Sequence, residues 1–384
     1  MRIGIVGARL SGSYAALLLA QQGHEVLLFD DSTHKEKPCG GGVTAKAVGT
    51  MPWFRENPLP HTQIELLRLM TLDGRRSDVP LHHPIRIFSR LTLDSALRKC
   101  AVNSGARLLD ARARGFVRTK GGWVVQTCGQ EFEVDFLVGA DGATSSVRSA
   151  VTGKFLATDV SLALGFYLPG QHHRDTIITV FQESGFMGYL WSFPRVDHVS
   201  VGILCWLPLA NAADMRQRVL EFISEKYPNF TAQKKLYAAR IPCLSHRSIA
   251  RQRVCGENWA LLGDAAGFVD AITAEGISFA LRSAELLAES IRRGAPQFYE
   301  SAWREDFGAD LMRAAEWRDR FYGGTVLLHS FIGRALQALR HSATVRSLTD
   351  DQICGLRSYE QLRRQIILRS PRILLEALRH KLPW

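Results

Sequence analysis

A chain of 384 residues exceeds the length at which one hydrophobic core usually stops growing, so two interleaved lobes and a tail are expected. Apolar residues make up 46% and charged residues 22%, which excludes a disordered or collagen-like chain, and no apolar run reaches the roughly 18 residues of a spanning helix. The net charge of +11 is either a plain soluble basic surface or a match for an anionic small molecule or a lipid headgroup; nucleic acid is set aside, because neither zinc-finger spacing nor a basic region followed by heptads occurs.

The seven cysteines (Cys39, Cys100, Cys128, Cys205, Cys243, Cys255 and Cys354) are odd in number, widely spaced and without a C-x-x-C pair. That argues against a disulfide framework or a zinc site and for a reducing, cytoplasmic setting. Arg2 and the apolar stretch after it could mimic a leader, but Gly7, Arg9, Gly12 and Ser13 interrupt it, and strand–turn–helix is the better reading.

In chain order, Arg2–Val6 predicts a buried parallel strand, residues 11–22 an Ala- and Leu-rich helix, Gly23-His24 a turn and residues 25–30 a second strand, which together make a βαβ unit. Its first turn, Gly7-Ala8-Arg9-Leu10-Ser11-Gly12, follows the G-x-G-x-x-G fingerprint of dinucleotide sites, with Arg9 in place of the middle Gly. Gly7 makes the tight turn, Gly12 lets helix pack on strand, and Ser11 lies in the first helical turn. Arg9 must point outward, where its guanidinium can cover a diphosphate. Asp30, roughly 20 residues on, is placed to accept from a ribose diol. On this segment alone, a βαβ unit without ligand is the alternative.

Further along, Cys39-Gly40-Gly41-Gly42 must be loop, and residues 92–104 predict a helix opening near Thr92 with Asp94 in its first turn. Residues 133–139 read as one strand running into Ala140-Asp141-Gly142. Residues 160–206 alternate in β fashion, notably Ile177–Phe181 and Val199–Ile203, and form a second lobe. Residues 258–263 predict a buried strand ending at Asp264, and residues 275–292 a helix with the stripe Ile277, Leu281, Ala284, Ala288 and Ile291. From about residue 300 the chain reads helical and basic. The expected class is α/β: a three-layer Rossmann-type nucleotide domain on a parallel sheet (1–160 and 255–300), an inserted mixed β-sheet substrate domain (161–254, with 50–85 contributing) and a helical C-terminal region (301–384).

Four segments carry a family resemblance. Asp141-Gly142-Ala143-Thr144-Ser145-Ser146-Val147-Arg148 resembles the D-G-x-x-S-x-V-R segment of flavoproteins of the para-hydroxybenzoate hydroxylase type, and Gly263-Asp264-Ala265-Ala266-Gly267 resembles their G-D-A-A segment. Glu36-Lys37-Pro38-Cys39-Gly40-Gly41-Gly42-Val43 and Tyr189-Leu190-Trp191-Ser192-Phe193-Pro194 are similar to the K-x-C-G-G-G loop and the Y-x-W-x-F-P segment of the geranylgeranyl reductase branch. The resemblance covers roughly residues 1–292 and implies FAD as cofactor, with Asp264 on its ribityl chain and Arg90, in Arg90-x-x-Leu93-Asp94, as an FAD contact.

Physical chemistry adds to this, with a plainer alternative at each position. Asp264 ends a strand where open α/β sheets bind ligands, or it caps a helix. Gly276 and Ile277 open a helix whose positive end favours a reduced, anionic flavin, or they are simply a well-packed helix start. Gly40 and Gly42 let backbone pass close over a flat ring. Cys39 could tune the flavin or donate a proton, or be a small apolar filler. Arg90 contacts cofactor or makes a surface ion pair. Tyr189, Trp191 and Phe193 share one strand face, lining an apolar substrate pocket or forming sheet core.

The chain departs from the family where Pro and Gly usually follow G-D-A-A-G: here Ala271 and Ala274 stand, and Ala274 is expected at negative φ. No second G-x-G-x-x-G exists, so NAD(P)H as a transient donor and a small redox protein both fit. Residues 321–384 hold ten Lys and Arg against four Asp and Glu, with Ile366, Ile367, Leu368, Ile373, Leu374 and Leu375 between them. This tail is either a helical cap with a solvated basic face, a peripheral membrane contact or a dock for a prenyl diphosphate. The leading reading is reduction of C=C bonds in an apolar isoprenoid-type substrate. The alternatives are a flavin monooxygenase, a halogenase (disfavoured, since residues 71–80 lack Lys) and a non-catalytic flavin or lipid carrier.

Overall fold

In the computed structural model the opening strand Arg2–Val6 is the centre of a five-stranded parallel sheet, flanked by Glu25–Phe29 and Phe136–Gly139, with Arg107–Leu109 and Trp259–Leu261 at the edges. The structure describes residues 1–71, 74–170, 176–180, 186–231, 234–326 and 329–379; Leu72, Asp73, Phe181 and Lys381 lie outside them. Contacts divide the chain into two units, each of three segments. The first is 1–37, 90–160 and 240–312, and the second is 38–89, 161–239 and 313–384.

The first unit has three layers. Helix Leu10–Gln21 is apolar nearly all round and correspondingly buried, and it ends where Gly23 takes φ +83°. There His24 N–H donates to Leu19 O and Gly23 N–H to Ala20 O, a Schellman closure. Helices Arg90–Asn103 and Ile277–Arg292 pack beside it, the latter burying its whole predicted stripe. A three-stranded antiparallel sheet (Gly115–Arg118, Trp123–Gln126 and Glu131–Val134) covers the other face. The single strand expected over 133–139 is therefore two strands in different sheets. Asp135 is the step between them: its N–H donates to Arg2 O and its carboxylate accepts from Arg2 N–H at 2.7 Å.

An eight-stranded mixed sheet frames the second unit. Its order is Lys235–Pro242, Val160–Pro169, His198–Trp206, Gly188–Pro194, Thr176–Val180, Thr62–Thr71, Arg76–Ile87 and Gly42–Val43, with the Thr176–Val180/Thr62–Thr71 pair parallel. Alternation sorts its residues. Leu164, Phe166, Leu190, Val201 and Ile203 face helix Ala212–Lys226, which answers with Met215, Val219 and Ile223. Ile64, Leu67, Val79 and Ile87 are covered by Ile332, Leu336 and Leu339 of helix Phe331–His341. The C-terminal region is helical as expected, except for the short strands Thr325–Val326 and His329–Ser330.

Candidate functional site

In the first unit the fingerprint turn, the second strand and the Asp264 loop supply Gly7, Arg9, Ser11, Gly12, Asp30, Arg90, Asp264, Gly276 and Ile277. Gly7 has φ +101°, and a Cβ there would lie 2.4 Å from Ala140 O; a Cβ on Gly12 would lie 1.8 Å from Gly7 O. Both glycines are thus demanded by backbone crossing backbone. Ser11 is buried beside Gly263. Asp30 Oδ2 accepts from Ala8 N–H at 2.7 Å, and its Oδ1 accepts from Ser32 N–H and Oγ, so it uses three of about four acceptor sites.

Arg9 is the N-cap of helix Leu10–Gln21 but makes no side-chain cap, and no acid lies in that helix's first turn. Its buried Nη1 has no hydrogen-bond partner and stands 3.7 Å from Asp94. An uncapped helix start beside an unsatisfied guanidinium nitrogen fits a diphosphate. Arg90 is fully buried rather than on the surface, forking onto Asp94 at 3.0–3.3 Å. Its helix begins two residues earlier than the sequence suggested, because Glu36 accepts from Arg90 N–H at 2.7 Å and Leu91 N–H at 2.9 Å.

Lys37 Nζ donates to Asp264 at 2.8 Å. Burial alone would raise the Asp264 carboxyl, but Lys37, with Arg90 and Arg9 behind it, holds it below the usual carboxylate range. The Asp141–Arg148 segment ties this loop to the sheet. Asp141 accepts from Ser146 N–H at 2.6 Å, and Arg148 donates to Ala265 O at 3.2 Å while lying 3.7 Å over the Phe155 ring. Burial lowers Arg148 to about 10. Lys37 and Glu36 lay within a quoted motif, but nothing in their spacing announced their partners.

Ala274 corrects the expectation made for it: φ is +56°, the one positive value at a non-glycine among the described residues. Asp270 imposes it. Its carboxylate accepts from Ile272 and Thr273 N–H at 2.8 Å, its carbonyl from Ala274 N–H, and its own N–H donates to Glu275 O. The loop keeps the left-handed turn that glycine would take freely. Ala274→Gly is therefore expected to stabilise the protein by about 0.5–1 kcal/mol, strain relief exceeding the added chain entropy. Urea unfolding would check this.

Helix Ile277–Arg292, N-capped by Gly276, begins two residues past the predicted 275, with Glu275 Oε1 accepting from Ser278 N–H at 2.8 Å. Burial raises Glu275 from an ordinary 4.5 to about 7. Between those values the folded state holds a proton that the unfolded chain has released. Stability from this group is full at lower pH and falls as pH rises toward 7, by at most about 1.4 kcal/mol per pH unit. Glu275→Gln should remove that slope; unfolding midpoints of both proteins at pH 5, 6 and 7 would reveal it.

The second unit carries Cys39, Gly40, Gly42, Tyr189, Trp191 and Phe193. Gly41, not singled out from sequence, is the glycine of its run at positive φ (+86°), and a Cβ there would lie 2.2 Å from Phe88 O. Gly40 is pressed against the Phe193 ring, while Gly42 meets only ordinary contacts and pairs with Ile87. Trp191 is buried against Gly202 and donates to Ser200 Oγ at 3.5 Å; Tyr189 and Phe193, on the same face, are half-buried.

Beneath Cys39 lies a buried network that sequence reasoning missed. Arg195, 1% exposed, donates to Cys39 O at 2.6 Å, faces His198 Nε2 at 3.2 Å and lies 5.4 Å over the Tyr167 ring. Ser200 Oγ also donates to Cys39 O, at 3.2 Å, and exchanges a hydrogen bond with Tyr237 Oη at 3.0 Å. Cys39 Sγ, half-buried, accepts from Gly41 N–H at 3.3 Å. An Arg directly after a strand's terminal Pro had no sequence signal separating it from an exposed charge.

Residues 1–293 match the model of the FAD binding domain family. The chain belongs to that family. This flavoprotein is 29% identical over 315 residues to the menaquinone reductase of Mycobacterium tuberculosis, covering 74% of this chain and 75% of the relative. It is 27% identical over 353 residues to the chloroplastic geranylgeranyl diphosphate reductase of Nicotiana tabacum, covering 85% and 72%. Among solved structures, a geranylgeranyl bacteriochlorophyll reductase-like protein from Thermoplasma acidophilum superposes with TM-score 0.77 at 18% identity over 98% of both chains, which establishes the fold. The protein is an FAD-dependent oxidoreductase. No described helix is long and apolar enough to cross a membrane.

Proposed function

We propose that this flavoprotein reduces carbon–carbon double bonds of an apolar, isoprenoid-type substrate. The observation that carries the reading is the strand Gly188–Pro194, whose Tyr189, Trp191 and Phe193 share a face, Phe193 lying against Gly40 of the Cys39 loop and Trp191 against Gly202. Aromatic walls with small residues between them suit a flat or unsaturated hydrocarbon. The relatives named for reducing geranylgeranyl diphosphate and menaquinone support it.

Bound FAD supplies a two-electron carrier able to pass a hydride to carbon. The chain's own residues bind and orient. Arg9 and the start of helix Leu10–Gln21 hold the diphosphate, Asp30 a ribose, and Asp264, with Lys37 and Arg90 around it, the ribityl chain. The helix start at Gly276–Ile277, where Glu275 accepts from Ser278 N–H, would turn its positive dipole end toward the ring. Cys39 Sγ–H gives the proton that completes the second carbon, and solvent returns it. Each double bond reduced would take up one hydride and one proton, so a two-electron supply from NAD(P)H or a small reduced redox protein would be required.

The test is anaerobic incubation of reduced holoenzyme with a polyprenyl substrate, followed by mass spectrometry. Addition of two hydrogens per reduced bond supports the proposal. Product carrying an added oxygen atom, formed only in air, would assign the protein to the monooxygenases. Unchanged substrate with a flavin that no donor reduces would leave it a carrier.

A further inference from the structure

We infer that the C-terminal helix Tyr359–Arg379 is a docking surface for an anionic lipid membrane. Its inner face is tied down at both ends. Tyr359 stacks edge-on to Trp317 at 5.7 Å, Arg313 reaches Glu360 at 3.2 Å, and Glu376 accepts from Ser342 and Thr344 hydroxyls. At 3.6 residues per turn, Leu362, Gln365, Ile373 and Glu376 share that inner face and are half-buried.

The opposite face is apolar. Ile367 is 60% exposed, Leu368 72%, Leu374 48% and Leu375 51%, with Pro371 exposed among them. They fall on one stripe (367, 371, 374 and 368, 371, 375), the spacing normally reserved for a core-facing side. Arg363, Arg364, Arg372 and Arg379 lie along it, all exposed; Arg363 and Arg364 share Glu360 and Arg372 pairs with Glu376, so the four arginines outnumber the two acids and the helix surface keeps a net positive charge. An open groove of about 440 Å³ at the start of the helix is lined by Asp351, Leu356, Arg357, Gln361, Arg364 and Gln365, with Arg357 paired to Asp351 at 2.6 Å and Arg364 the further cation to meet a headgroup phosphate there.

A basic amphipathic helix of this make sinks its apolar face into the headgroup boundary while arginines meet lipid phosphates. Charge decides against a second copy of the chain: twofold pairing of the stripe would bring two arginine borders together, whereas anionic lipid neutralises them. The inference is independent of what the flavin reduces.

The experiment is co-sedimentation of FAD-loaded full-length protein with phosphatidylcholine vesicles, with and without phosphatidylglycerol. Binding should require phosphatidylglycerol and weaken with added salt. The triple variant Ile367→Ser, Leu374→Ser, Leu375→Ser should lose it while keeping its flavin absorbance, since these side chains are exposed. Arg363→Gln, Arg364→Gln, Arg372→Gln should weaken it about a hundredfold. Equal binding to both vesicle types, undiminished binding by either triple variant, or a dimer in sedimentation velocity that the serine variant abolishes would each overturn the inference.

Discussion

Gly12→Ala should yield protein that purifies colourless. The added Cβ would lie 1.8 Å from Gly7 O and 3.0 Å from the Ala140 Cβ, and the first of these neighbours is backbone that cannot rotate away. Helix Leu10–Gln21 must lift from the strand before it, at a cost of about 1–3 kcal/mol. Its first N–H groups then miss the diphosphate, and each further 1.4 kcal/mol or so takes another tenfold from FAD affinity. A fall of a hundredfold or more is expected, read from the visible absorbance of purified protein and from FAD titration. Gly49→Ala is the control, because a Cβ there meets nothing within 4 Å. Full flavin content in Gly12→Ala would remove the fingerprint turn from the binding site.

Arg195→Ala should strongly destabilise the second unit. The guanidinium is 1% exposed and holds the Cys39 carbonyl from 2.6 Å, with the Tyr167 and His198 rings about it. Truncation leaves both a cavity and a carbonyl short of its donor, about 3 kcal/mol together. Arg195→Lys should recover little, since one ammonium cannot reach two partners in the fork geometry of the original. Urea midpoints measure both variants; a loss under about 1 kcal/mol in Arg195→Ala would mean that Ser200 alone secures the loop.

What was legible in the sequence was local. The βαβ unit is written in contiguous residues, and the stripe from Ile277 to Ile291 repeats within one helix, so period and burial agree. The family segments carried FAD before any geometry was known, and the family match agrees. What escaped was long-range or conformational. Glu36 sets the start of a helix 54 residues away, so no window around Thr92 could contain its cap. Ala274 takes a glycine's conformation because Asp270 supplies the hydrogen bonds, and alanine gives no hint of it. The strand over 133–139 looked continuous because apolar alternation runs through Asp135, while a change of sheet leaves no mark on composition. Arg195 is hidden for a related reason: an arginine is read as solvent-facing unless its partners are known, and Cys39 lies 156 positions earlier.

The interleaving of three segments in each unit has a consequence for biogenesis. The central strand Arg2–Val6 is made well before its neighbour Phe136–Gly139 and the sheet's far edge, Trp259–Leu261. At about 5–20 residues per second, that edge arrives on the order of tens of seconds later. Until then a nearly all-apolar β segment waits with open hydrogen-bonding edges, prey to off-pathway pairing. Neither unit is contiguous in the chain, so each is completed only after segments on both sides of the other have been made.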